Sequence, residues 1–210
     1  MADRRFTNTT AVRQLVLASS SPRRRELVGM LGLSLPVLVL SPDSDESTPA
    51  DWSPVRIVEQ LALRKARAAR TLLPNSADRE SVIVGADTIV VLRGEVMGKP
   101  VDVAEAHRML SGLQGTEHEV YTGVACIHAR DESQESVSHR LTRVTMKTLD
   151  DAAIHRYIAT GEPMDKAGSY GIQGRGGVLV ERIDGCYFNV VGLPVSLLSD
   201  MLAEFGVDVL

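Results

Sequence analysis

The stretch Ser81–Leu92, reading Ser-Val-Ile-Val-Gly-Ala-Asp-Thr-Ile-Val-Val-Leu, constrains the fold more than any other. It is almost continuously apolar, the pattern of a strand buried on both faces rather than the alternation of a half-solvated one. Such a strand needs cover on both sides. The rest of the chain offers helices for that purpose: 22–32, 54–73, 102–113, 150–159 and 194–205 carry helical spacing or helix-start signals. Further short strands are expected at 15–17, 35–40, 95–97, 178–183 and 185–190, with a long hairpin from 120–128 and 137–147. Residues 41–53 read as an acidic, turn-rich loop and 166–177 as a glycine-rich one. Helices and strands alternate, but the middle of the chain pairs strands directly. The expected architecture is α/β, a mixed sheet with flanking helices. Residues 1–13 are polar and read as a disordered N-terminal extension, leaving 14–210 as a single domain.

Composition narrows the function. Aromatic residues are only 4%, so Val, Leu, Ile and Ala must fill the core. The net charge of −4 and pI near 5.7 disfavour a general nucleic-acid binder and suit a small anionic ligand met by local basic clusters. The two cysteines, Cys126 and Cys186, lack metal-ligand spacing and read as ordinary thiols of a reducing, cytoplasmic setting. No run is long enough for a membrane span, and there is no signal-peptide core. The five histidines show no metal-ligand clustering along the sequence, and no Gly-x-Ser-x-Gly elbow supports a serine hydrolase.

Residues 18–27, Ala-Ser-Ser-Ser-Pro-Arg-Arg-Arg-Glu-Leu, join the first strand to the first helix. Ser21 is a natural N-cap and Pro22 a natural first helical residue. Three arginines then occupy the first turn. The helix dipole opposes cations there by about 0.3–1 kcal/mol each. A serine-rich turn, free N–H groups and arginines together make an anion site; solvated arginines on a capped surface helix are the plainer alternative.

Two charges interrupt apolar patterns. Lys65 falls inside the helical stripe Val58, Leu61, Ala62, Ala69, Leu72, where a lysine must snorkel, pair with an acid or point into a cleft. Asp87 interrupts the buried strand, where a carboxylate is costly unless paired, hydrogen-bonded or metal-bound. The alternative for Asp87 is a structural acid satisfied by a turn at Gly85. Three further groups accompany them: Gly98-Lys99-Pro100, Lys166 at the head of the glycine-rich loop with Gln173 at its centre, and Glu46 in the acidic loop. The loop matches neither the P-loop nor the dinucleotide spacing, and its glycines would let backbone approach a ligand closely. As a set, arginines at a helix start, three lysines and two carboxylates suit a polyphosphate bound with a divalent cation, which takes one or two carboxylates plus phosphate oxygens.

In these motifs the chain resembles the Maf family of nucleoside triphosphate pyrophosphatases. The residues that carry the resemblance are Ala18 to Arg25, Leu61-Ala62-x-x-Lys65-Ala66, Gly85-Ala86-Asp87-Thr88, Gly98-Lys99-Pro100, Asp165 to Gly174 and Asn189 to Pro194, in the family's order. The resemblance implies a strongly twisted sheet, two lobes around a cleft as in Maf and ITPase-like folds, often a homodimer, and hydrolysis of a nucleoside triphosphate to the monophosphate and pyrophosphate with Mg2+ or Mn2+. It implies Asp87 as the catalytic residue, Glu46 and Asp87 as metal ligands, and Ser21, Arg24, Lys65, Lys99 and Lys166 as phosphate ligands. Arg23, Thr88 and Gln173 match the subgroup that acts on dTTP, UTP and related or modified pyrimidine nucleotides; a sister subgroup with Trp, Gln and Glu there acts on 7-methyl-GTP. The chain departs from the pattern by its N-terminal extension, by Ser20 and by extra length around 43–46. A non-catalytic nucleotide-binding regulator of septum formation is the rival from another class, and Lys65 with Asp87 is the discriminating pair. Nucleotide substrate, no membrane and no nucleic acid complete the expectation.

Overall fold

The computed structural model describes residues 12–73 and 80–210. In chain order the elements are β1 (Gln14–Ala18), α1 (Pro22–Gly29), β2 (Val37–Leu40), α2 (Pro54–Thr71), β3 (Ser81–Leu92), β4 (Glu95–Met97), α3 (Val103–Leu113), β5 (Glu117–His128), β6 (Glu135–Met146), α4 (Asp151–Ile158), β7 (Val180–Asp184), α5 (Tyr187–Val191) and α6 (Val195–Glu204). Among the described residues the hydrogen-bonded strand order is β2-β1-β3-β5-β6-β7, with β4 on β3. β1 runs parallel to both β2 and β3, whereas β3/β4 and β6/β7 are antiparallel. The expected mixed α/β sheet is therefore present.

Local chemistry explains the element ends. Ser53, Asp102 and Asp150 cap α2, α3 and α4, each accepting a hydrogen bond from the backbone N–H three residues on. Arg93 and Gly94 both take positive φ, 52° and 84°, the twist of a tight two-residue hairpin between β3 and β4. Arg13, the last residue of the expected extension, is tied down instead: its N–H donates to the Glu80 carbonyl at 2.8 Å. The remainder of that extension, up to residue 11, lies outside the described residues.

Two expectations change. The glycine-rich segment 166–177 is not open loop throughout: it holds the 3-10 turn Ala167–Ser169 and the start of a second, Arg175–Leu179, and follows a third, Glu162–Asp165. Of residues 185–190, expected as a strand, 187–190 lie in helix α5 and 185–186 precede it. The run Tyr-Phe-Asn-Val-Val favours strands by composition. Tertiary hydrogen bonds at the buried Asn189 override that preference: its Nδ2 donates to the Val120 carbonyl and to Thr142 Oγ1, and its carbonyl accepts from Thr122 Oγ1.

The chain forms two compact units. The first comprises the described residues up to Asp87, Gly123–His139 and Gly192–Leu210; the second comprises Thr88–Thr122 and Arg140–Val191. Their cores differ in grain. The first packs Val16, Ala18, Ala62, Ala66, Ala69, Ile83 and Ala125, mostly small side chains. That lets α2 descend onto the sheet until backbones touch. A Cβ added at Gly85 would lie 2.2 Å from the Ala62 carbonyl oxygen, and one at Gly123 would lie 2.2 Å from that of Val58. The second unit packs Leu110, Leu113, Met146, Ile154, Tyr157, Tyr170 and Leu179.

Candidate active site

Side chains alternate along β3, so Ile83, Gly85 and Asp87 share one face. Ile83 packs with Ala62 and Ala66, and Gly85 meets the α2 backbone, so this is the α2 face. Lys65 stands one helical turn beyond Ala62 and reaches the same point. Its Nζ lies 2.6 Å from Asp87 Oδ1 and 2.8 Å from Glu46 Oε1. Of the three sequence alternatives for Lys65, pairing with an acid is the one realised. Gly85 makes no turn; it is the landing point that brings the helix down so that Lys65 and Asp87 can meet. The stripe ends sooner than expected, because Leu72 lies past the end of α2 and is 51% exposed.

The charge pattern of this cluster is unusual. Asp87 is buried, while Glu46 is exposed on its loop, so one cation joins an inner and an outer carboxylate. Glu46 lies within an ordered turn, in which Asp45 accepts from Ser47 and Arg64 donates to the carbonyls of Asp45 and Ser47.

α1 begins as expected. Ser21 caps it, accepting from Arg24 N–H, and Ser19 Oγ in turn accepts from Ser21 N–H at 3.2 Å. Arg24 is turned inward, its Nε donating to the Gly192 carbonyl at 2.7 Å. Burial lowers the guanidinium's pKa, as does neighbouring Arg23, while Asp87 and Glu46 pull it upward. Arg24 therefore lies within electrostatic reach of both acids. Ser21, Arg23, Arg24, Glu46, Lys65 and Asp87 all belong to the first unit.

Thr88, Lys99, Lys166 and Gln173 belong to the second. Thr88 Oγ1 lies 2.9 Å from Thr122 Oγ1, which donates to the Asn189 carbonyl. Lys99 is exposed, and its segment is joined to that of Lys166 through Gly168 N–H donating to the Gly98 carbonyl. Gly168 adopts φ 67° against Val90, a position where a Cβ would clash. Lys166 pairs with Asp165 and donates to the Glu162 carbonyl. Gln173 is exposed in the turn before Arg175.

Residues with no role in the sequence reading organise this second set. Glu162 accepts from the N–H groups of Arg175 and Gly176 and from the Tyr157 hydroxyl, all at 2.8–2.9 Å. Added Cβ atoms at Gly174 and Gly176 would meet Glu162 and Tyr157 at 2.5 Å. These two glycines thus admit the chain's own carboxylate and phenol; the expectation that they serve a ligand's approach gives way at these positions. The glycine density was the available signal, but a lone glutamate before a proline reads as solvated.

The histidines also correct the sequence reading. His107, Asp151 and His155 gather on α3 and α4, with His107 Nε2 at 2.6 Å from Asp151 Oδ1. This cluster contains neither Asp87 nor Glu46. Cys126 and Cys186 are free thiols, and burial pushes the Cys126 thiol's pKa up, consistent with an inert core residue. No helix among the described residues is long and apolar enough to cross a membrane.

Taken together, the mixed sheet and the Lys65-bridged carboxylates near the arginine-bearing start of α1 define an α/β protein equipped to hold a multiply charged anion. The chain belongs to the Maf family: the model of the Maf-like protein family matches residues 14–205. It is 49% identical over 199 residues to a dTTP/UTP pyrophosphatase of Pelotomaculum thermopropionicum, covering 95% of this chain and all of the relative. It is 51% identical over 196 residues to a dTTP/UTP pyrophosphatase of Moorella thermoacetica, covering 93% and 97%. Among solved structures, the Staphylococcus aureus Ham1 protein overlaps 63% of this chain and 71% of its own, at 14% identity and a TM-score of 0.46.

Proposed function

We propose that this chain is a pyrophosphatase of pyrimidine nucleoside triphosphates, hydrolysing dTTP and UTP to the monophosphate and pyrophosphate. The observation that carries the reading is the convergence of buried Asp87 and exposed Glu46 on the single ammonium of Lys65. Two carboxylates that already reach one cation fit a divalent metal, whose oxygen-ligand preference they meet. When bound, Mg2+ or Mn2+ would neutralise phosphate charge and polarise the reacting oxygens.

The chain's own residues then have separable tasks. Asp87 accepts a proton from the attacking water, whose oxygen forms a bond to the α-phosphorus. The bond from that phosphorus to the α,β-bridging oxygen breaks, and the electron pair leaves with pyrophosphate. Lys65 exchanges a carboxylate partner for a phosphate oxygen. Arg24 and the capped start of α1 at Ser21 stabilise the departing charge. Lys99 and Lys166 are proposed as further phosphate ligands on the strength of the resemblance. Arg23, Thr88 and Gln173 are proposed as base readers, since their uncharged or cationic hydrogen-bonding groups suit the carbonyl edge of thymine or uracil. A protein that only bound nucleotide would gain nothing from a buried acid beside its phosphate ligands. A cytoplasmic setting is part of the same proposal.

A nucleotide panel with Mg2+, in a sample free of contaminating pyrophosphatase, tests the reading. The expected result is metal-dependent release of pyrophosphate and monophosphate from dTTP and UTP. Release of orthophosphate alone, or turnover untouched by chelation, would overturn it.

A further inference from the structure

His107, Asp151 and His155 play no part in the proposed chemistry, yet they have the composition of a metal site. We infer that they form a second cation site, selective for imidazole-preferring divalent metals such as Zn2+ and Co2+, which ties α3 to α4. This site is separate from the residues assigned to hydrolysis.

Asp151 and His155 are four residues apart on α4 and so lie on one helical face. His107 approaches from α3, 44 residues earlier in the chain, which hides the grouping from any reading of sequence spacing. One donor atom from each side chain lies within 4.8 Å of the others. His107 Nε2 is 2.6 Å from Asp151 Oδ1; His155 Nδ1 is 3.3 Å from Asp151 Oδ2 and donates to the Asp151 carbonyl at 2.9 Å, a bond it gives up if Nδ1 rather than Nε2 takes the metal. The two imidazole rings are 4.7 Å apart between centroids. Ligands at about 2.0–2.1 Å from tetrahedral zinc lie somewhat over 3 Å from each other. Partly or largely exposed side chains need only small rotations to reach that spacing.

The donor set sets the metal class. Two imidazoles and a carboxylate leave a fourth position for water, the arrangement of three-ligand zinc sites. Imidazole nitrogens select Zn2+, Co2+ or Ni2+, whereas Mg2+ and Ca2+ want oxygen alone. His107 also has a supporting contact: Ser111 Oγ lies 3.4 Å from its Nδ1, which favours presentation of Nε2 to the metal. Behind these side chains the same two helices bury Leu110, Leu113 and Ile154 in the core of the second unit. A metal bound across them would stabilise the native state by mass action.

The test uses the full-length chain without a histidine tag, stripped of metal, with Co2+ followed by visible absorption and Zn2+ by thermal shift. The expected result is one equivalent bound, a rise in Tm of a few degrees at saturating Zn2+, and no competition from millimolar Mg2+. His107→Gln and His155→Gln should each weaken binding at least about tenfold, since loss of an outer-shell partner alone costs about 10–100-fold. Their metal-free Tm and Mg2+-dependent hydrolysis should match wild type, which separates loss of the site from loss of the fold. Asp87→Asn should bind the metal normally. Unchanged Co2+ affinity in both histidine variants, abolition of binding by Asp87→Asn, or no binding to wild type would each overturn the proposal.

Discussion

Asp87, which is buried, and Glu162, which is half-buried, are carboxylates satisfied in opposite ways. Asp87 faces a lysine whose long, flexible stem also reaches Glu46. Glu162 faces two backbone N–H groups and a phenol held by the fold itself. A side-chain cation can exchange partners when an anionic ligand arrives. Backbone donors cannot move without moving the chain. On the proposed function, the difference makes the first carboxylate chemical equipment and the second architecture, and only the first lies in a segment that the sequence singles out as unusual.

Removing each charge should separate the two roles most sharply. Asp87→Asn keeps the volume, and Lys65 retains Glu46 as a partner. Hydrolysis should fall by about 10²–10⁴-fold, the usual cost of losing a general base, with a native circular dichroism spectrum. Near-normal turnover at all Mg2+ concentrations would make Asp87 a second Glu162 and erase the contrast.

The glycines beside the two carboxylates give the next largest effect. At Gly85 a methyl group would strike the Ala62 carbonyl at 2.2 Å and the Ala66 nitrogen at 2.8 Å, both backbone atoms of α2. At Gly174 the obstacle is Glu162 Oε2 at 2.5 Å, the far end of a side chain. Gly85→Ala should therefore cost about 3 kcal/mol or more, at or beyond the upper end of ordinary overpacking, and Gly174→Ala about 1 kcal/mol. Denaturant titration of both variants decides it; equal losses would show that α2 is free to retreat.

Much of this was legible in the sequence, and the failures are physical. Capping residues and apolar periodicity located α2, β3, α3 and α4 to within a residue or two. Lys65 and Asp87 stood out because each broke a pattern that burial enforces. What stayed hidden was set by distant partners. Asn189 turns a strand-like pentapeptide into α5 through bonds to Val120, Thr122 and Thr142. Glu162 looks like a surface residue until the turn from Gly171 to Gly176 wraps round it. His107 meets Asp151 only because two helices pack together. Local pattern reports burial well, but it does not report which remote donor a polar group will find.

The second unit's fixed polar groups should also carry pH dependence. His118 is buried and hydrogen-bonded through Nε2 to the Tyr170 hydroxyl, and burial lowers its pKa to about 4 from the ordinary 6.5. It folds neutral. Its contribution is fully present above pH 6.5 and is lost as pH falls toward 4, because the unfolded chain binds the proton first. The expected loss is about 3 kcal/mol across that window. His118→Gln should flatten the stability profile there; an unchanged slope would place the sensitivity elsewhere.

Glu162 supplies a smaller effect in a lower window. Burial alone would raise its pKa, but donation from Gly176, Arg175 and Tyr157, with Lys166 nearby, outweighs burial and holds the carboxyl below the usual value. Its stabilisation is thus complete above the unfolded glutamate's pKa of about 4.3 and is lost as pH falls through the lower folded value. Glu162→Gln turns an amide N–H2 toward a backbone N–H and should cost about 1–3 kcal/mol at neutral pH. The variant should also lose less stability than wild type on acidification through about pH 4.3, while its deficit relative to wild type stays nearly constant from neutral pH down to about pH 5.5, where the titration of His118, common to both, sets the slope. Measuring stability against pH for wild type and both variants resolves the two windows. If Glu162→Gln altered only the upper window, or cost nothing at neutral pH, the carboxylate would not be the fastening that the Gly171–Gly176 turn requires, and the contrast with Asp87 would fail.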